Sequence, residues 1–339
     1  MDQDRLLGES PAFLRILEEV SQVAPLEKPV LIVGERGTGK ELIAARLHYL
    51  SNRWEGQFLK MNCAAISDSL LESELFGHEA GAFTGATRTH HGRFERAHGG
   101  TLFLDELATT SVLVQEKLLR IIEYGEFERV GGNKTLHCDV RLIAATNDDL
   151  PGLAAAGRFR SDLLDRLAFD VLTLPPLRDR ETDIQLLADY FAVNMANELE
   201  REYFAGFTNA ARIALAEYSW PGNIRELKNV VERCVYRCEP EDEVDEIIFD
   251  PFESPFRPKG SVQTEAGSGD ASDSTSRSGK KQHALPLDLK QTVQTFEIEL
   301  INQAMEEGKH NQRKAAELLQ LTYHQLRGYL KKYELLKSD

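Results

Sequence analysis

Two short stretches of the 339-residue chain hold residue types able to handle a nucleoside triphosphate. Gly34-Glu35-Arg36-Gly37-Thr38-Gly39-Lys40 follows an apolar run and opens a helical pattern. That is the setting of a phosphate-binding loop: glycines let backbone N–H groups close on phosphate oxygens, and the helix N-terminus favours their charge. Lys40 is spaced to reach the β- and γ-phosphates. Glu41 stands where Ser or Thr more often offers a hydroxyl to magnesium, so Mg2+ must rest on other groups, and Thr38 could help through its hydroxyl or its backbone. The second stretch, Thr101-Leu102-Phe103-Leu104-Asp105-Glu106, is an apolar run ending in two carboxylates. Asp105 suits magnesium coordination, directly or through water. Glu106 suits activation and alignment of the attacking water.

Both stretches need a scaffold that brings strand ends together. The runs Pro29–Val33, Phe58–Asn62, Thr101–Leu104, Val140–Thr146 and Phe169–Leu174 read as buried strands. Amphipathic patterns such as Lys40–Tyr49 and Leu113–Tyr124 lie between them. Strands alternating with helices predict an α/β fold with a parallel sheet covered on both faces. After Pro175-Pro176 the helical patterns Ile184–Leu199, Ala210–Tyr218 and Ile224–Arg237 predict a small all-helical subdomain. The expected domains are residues 1–172, the α/β part that holds both stretches; 173–250, the all-helical subdomain; 251–284, a Ser/Gly/Asp-rich flexible linker; and 285–339, a C-terminal part that regains helical periodicity.

The stretch Glu74-Leu75-Phe76-Gly77-His78-Glu79-Ala80 followed by Gly81-Ala82-Phe83-Thr84-Gly85-Ala86 resembles the bacterial enhancer-binding proteins. These are AAA+ ATPases that activate transcription by sigma-54 RNA polymerase. The resemblance implies that the loop Gly81–Ala86 touches sigma-54, with Phe83 and Thr84 as its contact point. Glu41 fits the same family, which places Glu after the loop lysine. Thr146-Asn147 matches its first sensor, and Asn62 resembles the polar switch residue that holds the catalytic glutamate. Arg160 and Arg166 match its arginine fingers, which reach the γ-phosphate of the next subunit and stabilise spreading charge. Arg225, in Trp220-Pro221-Gly222-Asn223-Ile224-Arg225-Glu226-Leu227, matches the second sensor. Glu128-Arg129-Val130-Gly131-Gly132 corresponds to a second mobile loop. A dimer assembling into a hexameric ring, with ATP between subunits, is the implied working form.

Net charge is −15, which argues against indiscriminate DNA binding by the whole molecule. From Gly308 to Lys337, however, seven Lys or Arg face two Glu. There Asn311–Leu319 reads as one helix, Gln320-Leu321-Thr322 as a turn and Tyr323–Tyr333 as a second helix. The pattern resembles a Fis-type helix-turn-helix for double-stranded upstream DNA. Thr322 would cap the second helix. Tyr323, His324, Gln325 and Arg327 would face the major groove, and Lys331 and Lys332 the phosphates. The amphipathic Phe296–Met305 is expected to pair two copies.

The first expected strand begins at Pro29, which leaves no room ahead of it for a receiver or sensing domain. Control is therefore expected from a negative regulator acting in trans, with Trp54, in a polar stretch, as a candidate contact. No apolar run approaches the roughly 18 residues of a membrane helix, and the acidic start is no secretory signal. A cytoplasmic protein without membrane insertion is expected. Cys63, Cys138, Cys234 and Cys238 form no Cys-x-x-Cys pair and read as free thiols. A remodeller of some other substrate is opposed by the intact Gly81–Ala86 segment. A non-enzymatic DNA-binding regulator is opposed by the joint presence of Lys40, Asp105, Glu106 and the arginines.

Overall fold

The apolar runs become strands, and their ends converge. In the computed structural model, which describes residues 6–252 and most positions between 298 and 333, the strands are β1 (Val30–Val33), β2 (Phe58–Asn62), β3 (Thr101–Asp105), β4 (Glu126–Glu128), β5 (Thr135–His137), β6 (Arg141–Thr146) and β7 (Val171–Thr173). Five of them form a parallel sheet in the order β2-β3-β6-β1-β7. β4 and β5 make a separate antiparallel hairpin.

The inner strands β1, β3 and β6 are covered on both faces and buried almost throughout, whereas the edge strands β2 and β7 are partly exposed. The pleat still sorts them. Leu31, Leu102, Leu104, Leu142 and Ala144 point to one core, and Val30, Ile32, Phe103, Ile143 and Ala145 to the other. The first core is closed by α3 (Asp68–Phe76), the short α4 (Arg93–Arg96), α5 (Val112–Tyr124), α6 (Leu150–Ala155) and α7 (Ser161–Leu167). The second is closed by α1 (Pro11–Val23) and α2 (Lys40–Tyr49).

Sequence chemistry explains the ends of these helices. Ser10 caps α1 by accepting the Phe13 N–H, with Pro11 in the first turn. Ser111 caps α5, which ends at Gly125 in the left-handed region, φ +69°.

Beyond the sheet lie α8 (Glu181–Glu198), α9 (Asn209–Glu217) and α10 (Asn223–Arg237), which share a third core around Trp220, Leu187, Leu227 and Val231. β7 spans the expected 172/173 boundary and pairs with β1, so the sheet continues through Thr173. The C-terminal unit, Lys259–Asp339, is separate from Met1–Pro258. It holds helices Gln312–Leu318 and Tyr323–Lys332 over a small core of Ile301, Ala304, Ala315, Ala316, Leu326 and Leu330. Of the expected linker, 251–284, all but Pro251 and Phe252 lies outside the described residues.

Candidate functional site

All five strands of the parallel sheet run the same way, so their C-terminal ends share one rim. Asn62 pairs with Asp105, and Val33 with Thr146, in the strand registers. The Gly34 N–H donates to the Thr146 carbonyl, 3.2 Å, which fixes the start of the phosphate loop against the end of β6. β1 lies between β6 and β7, and crevices at such crossing points are where open α/β sheets bind ligands.

The loop Gly34–Lys40 takes left-handed backbone at Gly37, φ +79°, and Gly39, φ +95°. Gly39 gives α2 no side-chain cap, and the Leu42 N–H turns back to the Gly39 carbonyl at 3.0 Å, which leaves the first-turn N–H groups of Lys40 and Glu41 for an anion. Lys40 is buried, and its Nζ donates to the Gly34 carbonyl at 2.8 Å and the Glu35 carbonyl at 3.2 Å. Burial lowers the Lys40 pKa, against the pull of Asp105 and Glu106. The Thr38 hydroxyl donates to the Glu35 carbonyl, 2.9 Å. Glu41 turns outward to Lys60 at 2.9 Å.

Asp105 ends β3, and its Oδ1 accepts the Glu106 N–H at 3.0 Å. Glu106 itself has φ +54°, a conformation that costs about 1–3 kcal/mol for a residue with a side chain. Thr109 helps to hold it there, with both its N–H and its hydroxyl donating to the Glu106 carbonyl. The Glu106 carboxylate lies 3.7 Å from Arg36 Nε. With the Asn147 amide turned so that its nitrogen faces the carboxylate, it donates to both Glu106 oxygens. Asn62 does not join this group. Its Oδ1 accepts the Ala64 N–H at 2.9 Å, capping a short turn. The expected Asn62–Glu106 pairing is thus not made in this conformation: the Ala64 bond holds the Asn62 amide over its own turn, and the amide nitrogen, the atom that would have to donate to the carboxylate, makes no bond to Glu106. Thr146 is fully buried, and its hydroxyl accepts the Asp148 N–H at 3.0 Å.

The helical lid closes the crevice into a cleft of about 550 Å³, within the usual range for small-molecule sites. Gly37, Lys40, Asp105, Glu106, Ile224 and Arg225 line it, with Leu7, Tyr190 and Phe191 as an apolar wall suited to a nucleobase. Three lid contacts have no counterpart in the sequence reading. Asn223, fully buried at φ +53°, donates to Glu35 Oε2 and to the Arg36 carbonyl, both at 3.0 Å, and accepts the Leu177 N–H at 2.7 Å. Arg178 meets the Glu35 carboxylate at 2.6 Å and 3.0 Å. Arg178 first and Asn223 next hold the Glu35 carboxyl at about 2. Third, the buried Asp183 accepts from the Glu9 N–H, the Ser10 N–H, the Ser10 hydroxyl and Arg180. Arg180 in turn stacks on Phe13, 3.8 Å from the ring centre. Burial pushes the Asp183 carboxyl up, but these donors outweigh it and leave it below its ordinary value. The chain before α1 is thereby tied to the first turn of α8.

Arg160 and Arg166 do not line this cleft. Arg160 is bonded to Asp162 at 2.7 Å and 3.0 Å, and Arg166 to Glu123 at 2.8 Å. Both sit on an outer face where Leu113, Tyr124 and Phe169 are exposed.

The loop Gly81–Ala86 closes on itself through the Gly81 N–H to the Ala86 carbonyl, 2.7 Å, and the Ala86 N–H to the Phe83 carbonyl, 3.0 Å. Phe83 is 44% exposed and packs edge-on to His78, 4.8 Å between ring centres. The second loop touches the first directly. The Glu79 N–H donates to the Val130 carbonyl, and a Cβ on Gly131, φ +74°, would sit 2.6 Å from that of Ala82. Arg129 bridges Glu79 at 2.7 Å and Glu95 at 2.6 Å and 2.8 Å. Those two carboxylates, Glu95 first, raise the Arg129 pKa above its ordinary value.

Trp54 is 58% exposed on the turn after α2, beside the exposed Tyr49 and Leu50, so it does not pack into the domain edge. Cys63, Cys138, Cys234 and Cys238 are free thiols, and burial pushes Cys63 and Cys138 up to about 12, which leaves them unreactive. In the C-terminal unit Gln325, Arg327 and Lys332 are exposed. Tyr323, His324 and Lys331 lie on the second helix, but their side chains, like Thr322 altogether, are outside the described residues.

A phosphate loop behind the first sheet strand, two carboxylates behind a neighbouring strand and a helical lid over both define a P-loop ATPase of the AAA+ class. Family models match three consecutive stretches: the sigma-54 interaction domain over residues 6–173, the AAA+ ATPase lid domain over 178–265, and the bacterial regulatory protein, Fis family, over 292–333. The chain is 59% identical over 334 residues to the Psp operon transcriptional activator of Escherichia coli (strain K12), covering 98% of this chain and 99% of that protein. It is 41% identical to the regulatory protein AtoC of the same organism, covering 98% of this chain and 68% of that one. The crystal structure of NtrX from Brucella abortus in complex with ATP superposes with a TM-score of 0.67 at 31% identity, covering 97% of this chain and 70% of that one. The chain belongs to the sigma-54-dependent transcriptional activators. It is an AAA+ ATPase that activates sigma-54-dependent transcription and binds DNA through a Fis-family helix-turn-helix. No helix among the described residues is long and apolar enough to cross a membrane.

Proposed function

We propose that this chain opens promoters of the phage shock response by remodelling the closed complex of sigma-54 RNA polymerase, using ATP held between subunits of a ring. The observation that carries this reading is the division of the catalytic parts. Lys40, Asp105 and Glu106 line one cleft, whereas Arg160 and Arg166 line none of it and lie on an outer face. An arginine finger so placed serves a neighbour's nucleotide, which makes turnover conditional on a hexameric ring built from dimers.

Within the cleft, Lys40 and the loop N–H groups would hold the phosphates, with Gly34, Glu35, Arg36, Gly37, Thr38, Gly39 and Glu41 shaping the loop. Thr146, Asn147 and Arg225 would sense the nucleotide, and Asn62 would reach Glu106 after a rotamer change. Among the described residues no cluster of three or more ligating side chains could bind a metal by itself. A magnesium ion carried on the triphosphate needs only one or two carboxylates, and Asp105 is suitably placed. Bound there, Mg2+ would neutralise charge on the phosphate oxygens.

The Gly81–Ala86 loop would then press Phe83 and Thr84 on sigma-54, moving with the Glu128–Gly132 loop, whose Gly131 lies against Ala82. Gln325 and Arg327, together with Tyr323 and His324 behind the Thr322 cap, would read the major groove of upstream DNA. Lys331 and Lys332 would meet phosphates.

Open-complex formation at a sigma-54 promoter tests this, with purified protein, holoenzyme and either ATP or a non-hydrolysable analogue. Opening is expected with ATP alone. Failure at several such promoters with ATPase activity intact would overturn the reading. In the same assay Phe83→Ala should keep hydrolysis within about twofold and lose opening by about 10- to 30-fold, as expected for an exposed aromatic anchor. Equal losses of both activities would remove Phe83 from the contact.

The reading includes cytoplasmic restraint by a PspA-like negative regulator, supported by the identity to the Psp operon activator and by the exposed Trp54. Trp54→Ala should weaken repression by that regulator about tenfold or more while sparing ATPase activity. Unchanged repression would strike Trp54 from the contact.

A further inference from the structure

Gln115 has no solvent exposure at all. It sits in the first turns of α5, one residue before Glu116, and its side chain makes two hydrogen bonds to backbone, one just before its own helix and one 45 residues away. Its amide nitrogen donates to the Thr110 carbonyl at 2.8 Å, and its oxygen accepts the Arg160 N–H at 2.9 Å. Both ends matter for chemistry. Thr110 closes the turn that begins at Glu106: its N–H and its hydroxyl both donate to the Leu107 carbonyl, and Thr109 is bonded to the Glu106 carbonyl. Arg160 is the residue before α7, which has no side-chain cap of its own; its carbonyl accepts the Leu164 N–H of the helix, 3.1 Å, and the Gln115 oxygen anchors its N–H, the side of that backbone the helix does not hold.

We infer that Gln115 is a positioning residue for Arg160, setting the finger that each subunit offers its neighbour in register with that subunit's own Glu106 turn. This rests on the proposed reading that Arg160 acts in trans. The physical argument is one of satisfaction and reach. A buried amide with both ends bonded is held in one rotamer, so the backbone at Arg160 cannot shift without breaking a bond that water cannot replace. Misplacement of a catalytic group by about 1 Å can cost a hundredfold in rate. An apolar side chain of the same length would fill the volume and leave the Arg160 N–H and the Thr110 carbonyl without their partner.

Mixed rings of full-length protein separate this role from a merely structural one. Gln115→Met subunits keep an intact phosphate loop and Glu106, but present a misplaced finger. Glu106→Gln subunits hydrolyse nothing, but present an intact one. Gln115→Met alone is expected to lose ATPase activity about 10- to 100-fold with nucleotide affinity unchanged. Mixed in equal amounts with Glu106→Gln, it should hydrolyse well above the sum of the two parents, because intact sites form wherever a Glu106→Gln finger meets a Gln115→Met cleft.

Arg160→Ala with Glu106→Gln is the reference pair. If that pair is not rescued, the trans-finger reading itself fails. If it is rescued and a nucleotide-binding Gln115→Met is not, or if Gln115→Met alone hydrolyses at the wild-type rate, the inference about Gln115 is wrong. Gln115→Glu, held as the neutral acid by burial, keeps an oxygen facing the Arg160 N–H and an O–H for the Thr110 carbonyl, and decides the matter should Gln115→Met not bind nucleotide. It is expected to retain more activity than Gln115→Met and to be rescued by Glu106→Gln. A nucleotide-binding Gln115→Glu that loses hydrolysis and is not rescued overturns the proposal.

Discussion

Glu106→Gln is expected to abolish turnover while leaving nucleotide binding within about twofold of wild type. The carboxylate reaches the cleft because the chain turns left-handed at Glu106, and the Asp105 and Thr109 bonds hold that turn whatever the side chain's charge. Gln is nearly isosteric and keeps an oxygen for Asn147 and Arg36, so the local geometry should survive. What it loses is the ability to take a proton from, or align, an attacking water, an effect worth on the order of 10²–10⁴ in rate. Binding rests on Lys40, the loop N–H groups and the lid; the substitution removes one carboxylate charge near Lys40 and Arg36 but none of the groups that hold the phosphates. Phosphate release gives the turnover and equilibrium titration with nucleotide gives the affinity. Brisk residual hydrolysis would mean that another group activates the water. A parallel loss of affinity would mean that Glu106 shapes the cleft rather than the reaction.

The parts of this site that are local in sequence are the parts that sequence reading finds. Lys40 and its glycines are fixed by the spacing of a single loop between one strand and one helix. Asp105 and Glu106 are marked by the abrupt end of an apolar run, and a parallel sheet then guarantees that both stretches meet at one rim. The inner strands are legible because burial on both faces makes them mostly apolar, and the observed ends of all five differ from the expected ones by only a residue or two.

The N-terminal helix also carried a signal that could have been used. Ser10-Pro11 is a helix start, and Phe13, Ile16, Val20 and Val23 recur at helical spacing. What sequence does not carry is partner choice across long separations. Glu35 and Asn223 are 188 residues apart, and Ser10 and Asp183 are 173 apart. Each pair consists of ordinary polar residues whose types suit many partners. The Glu106 neighbourhood fails for a subtler reason. Asn62, Arg36 and Asn147 all stand near the same rim, and which of them turns to the carboxylate depends on rotamers and on competing backbone donors such as the Ala64 N–H.

Asn223 is where such long-range contacts concentrate, and Asn223→Ala is expected to destabilise the ATPase unit by about 3–5 kcal/mol. The Asn side chain is buried, and it joins the lid at Leu177 to the phosphate loop at Glu35 and Arg36 through three hydrogen bonds. Removal leaves the Leu177 N–H and the Arg36 carbonyl without that partner and frees one of the contacts that hold the Glu35 carboxyl ionised. Backbone strain adds to this, because φ is +53° and Asn tolerates the left-handed region better than Ala. For a unit of this size the loss corresponds to a fall in Tm of about 10 °C. ATP affinity should fall about tenfold or more, since the lid no longer registers on the loop that holds the phosphates. Asn223→Gly separates the two causes. Glycine removes the strain and keeps the backbone bond from the Ile224 N–H to the Gly37 carbonyl, 3.0 Å, but supplies no side-chain bonds. If the side-chain bonds dominate, Asn223→Gly will lose most of the same affinity and Tm. A glycine variant close to wild type in both would mean that Asn223 serves only to turn the chain, and that Arg178 and the Ile224 N–H suffice to couple lid and loop.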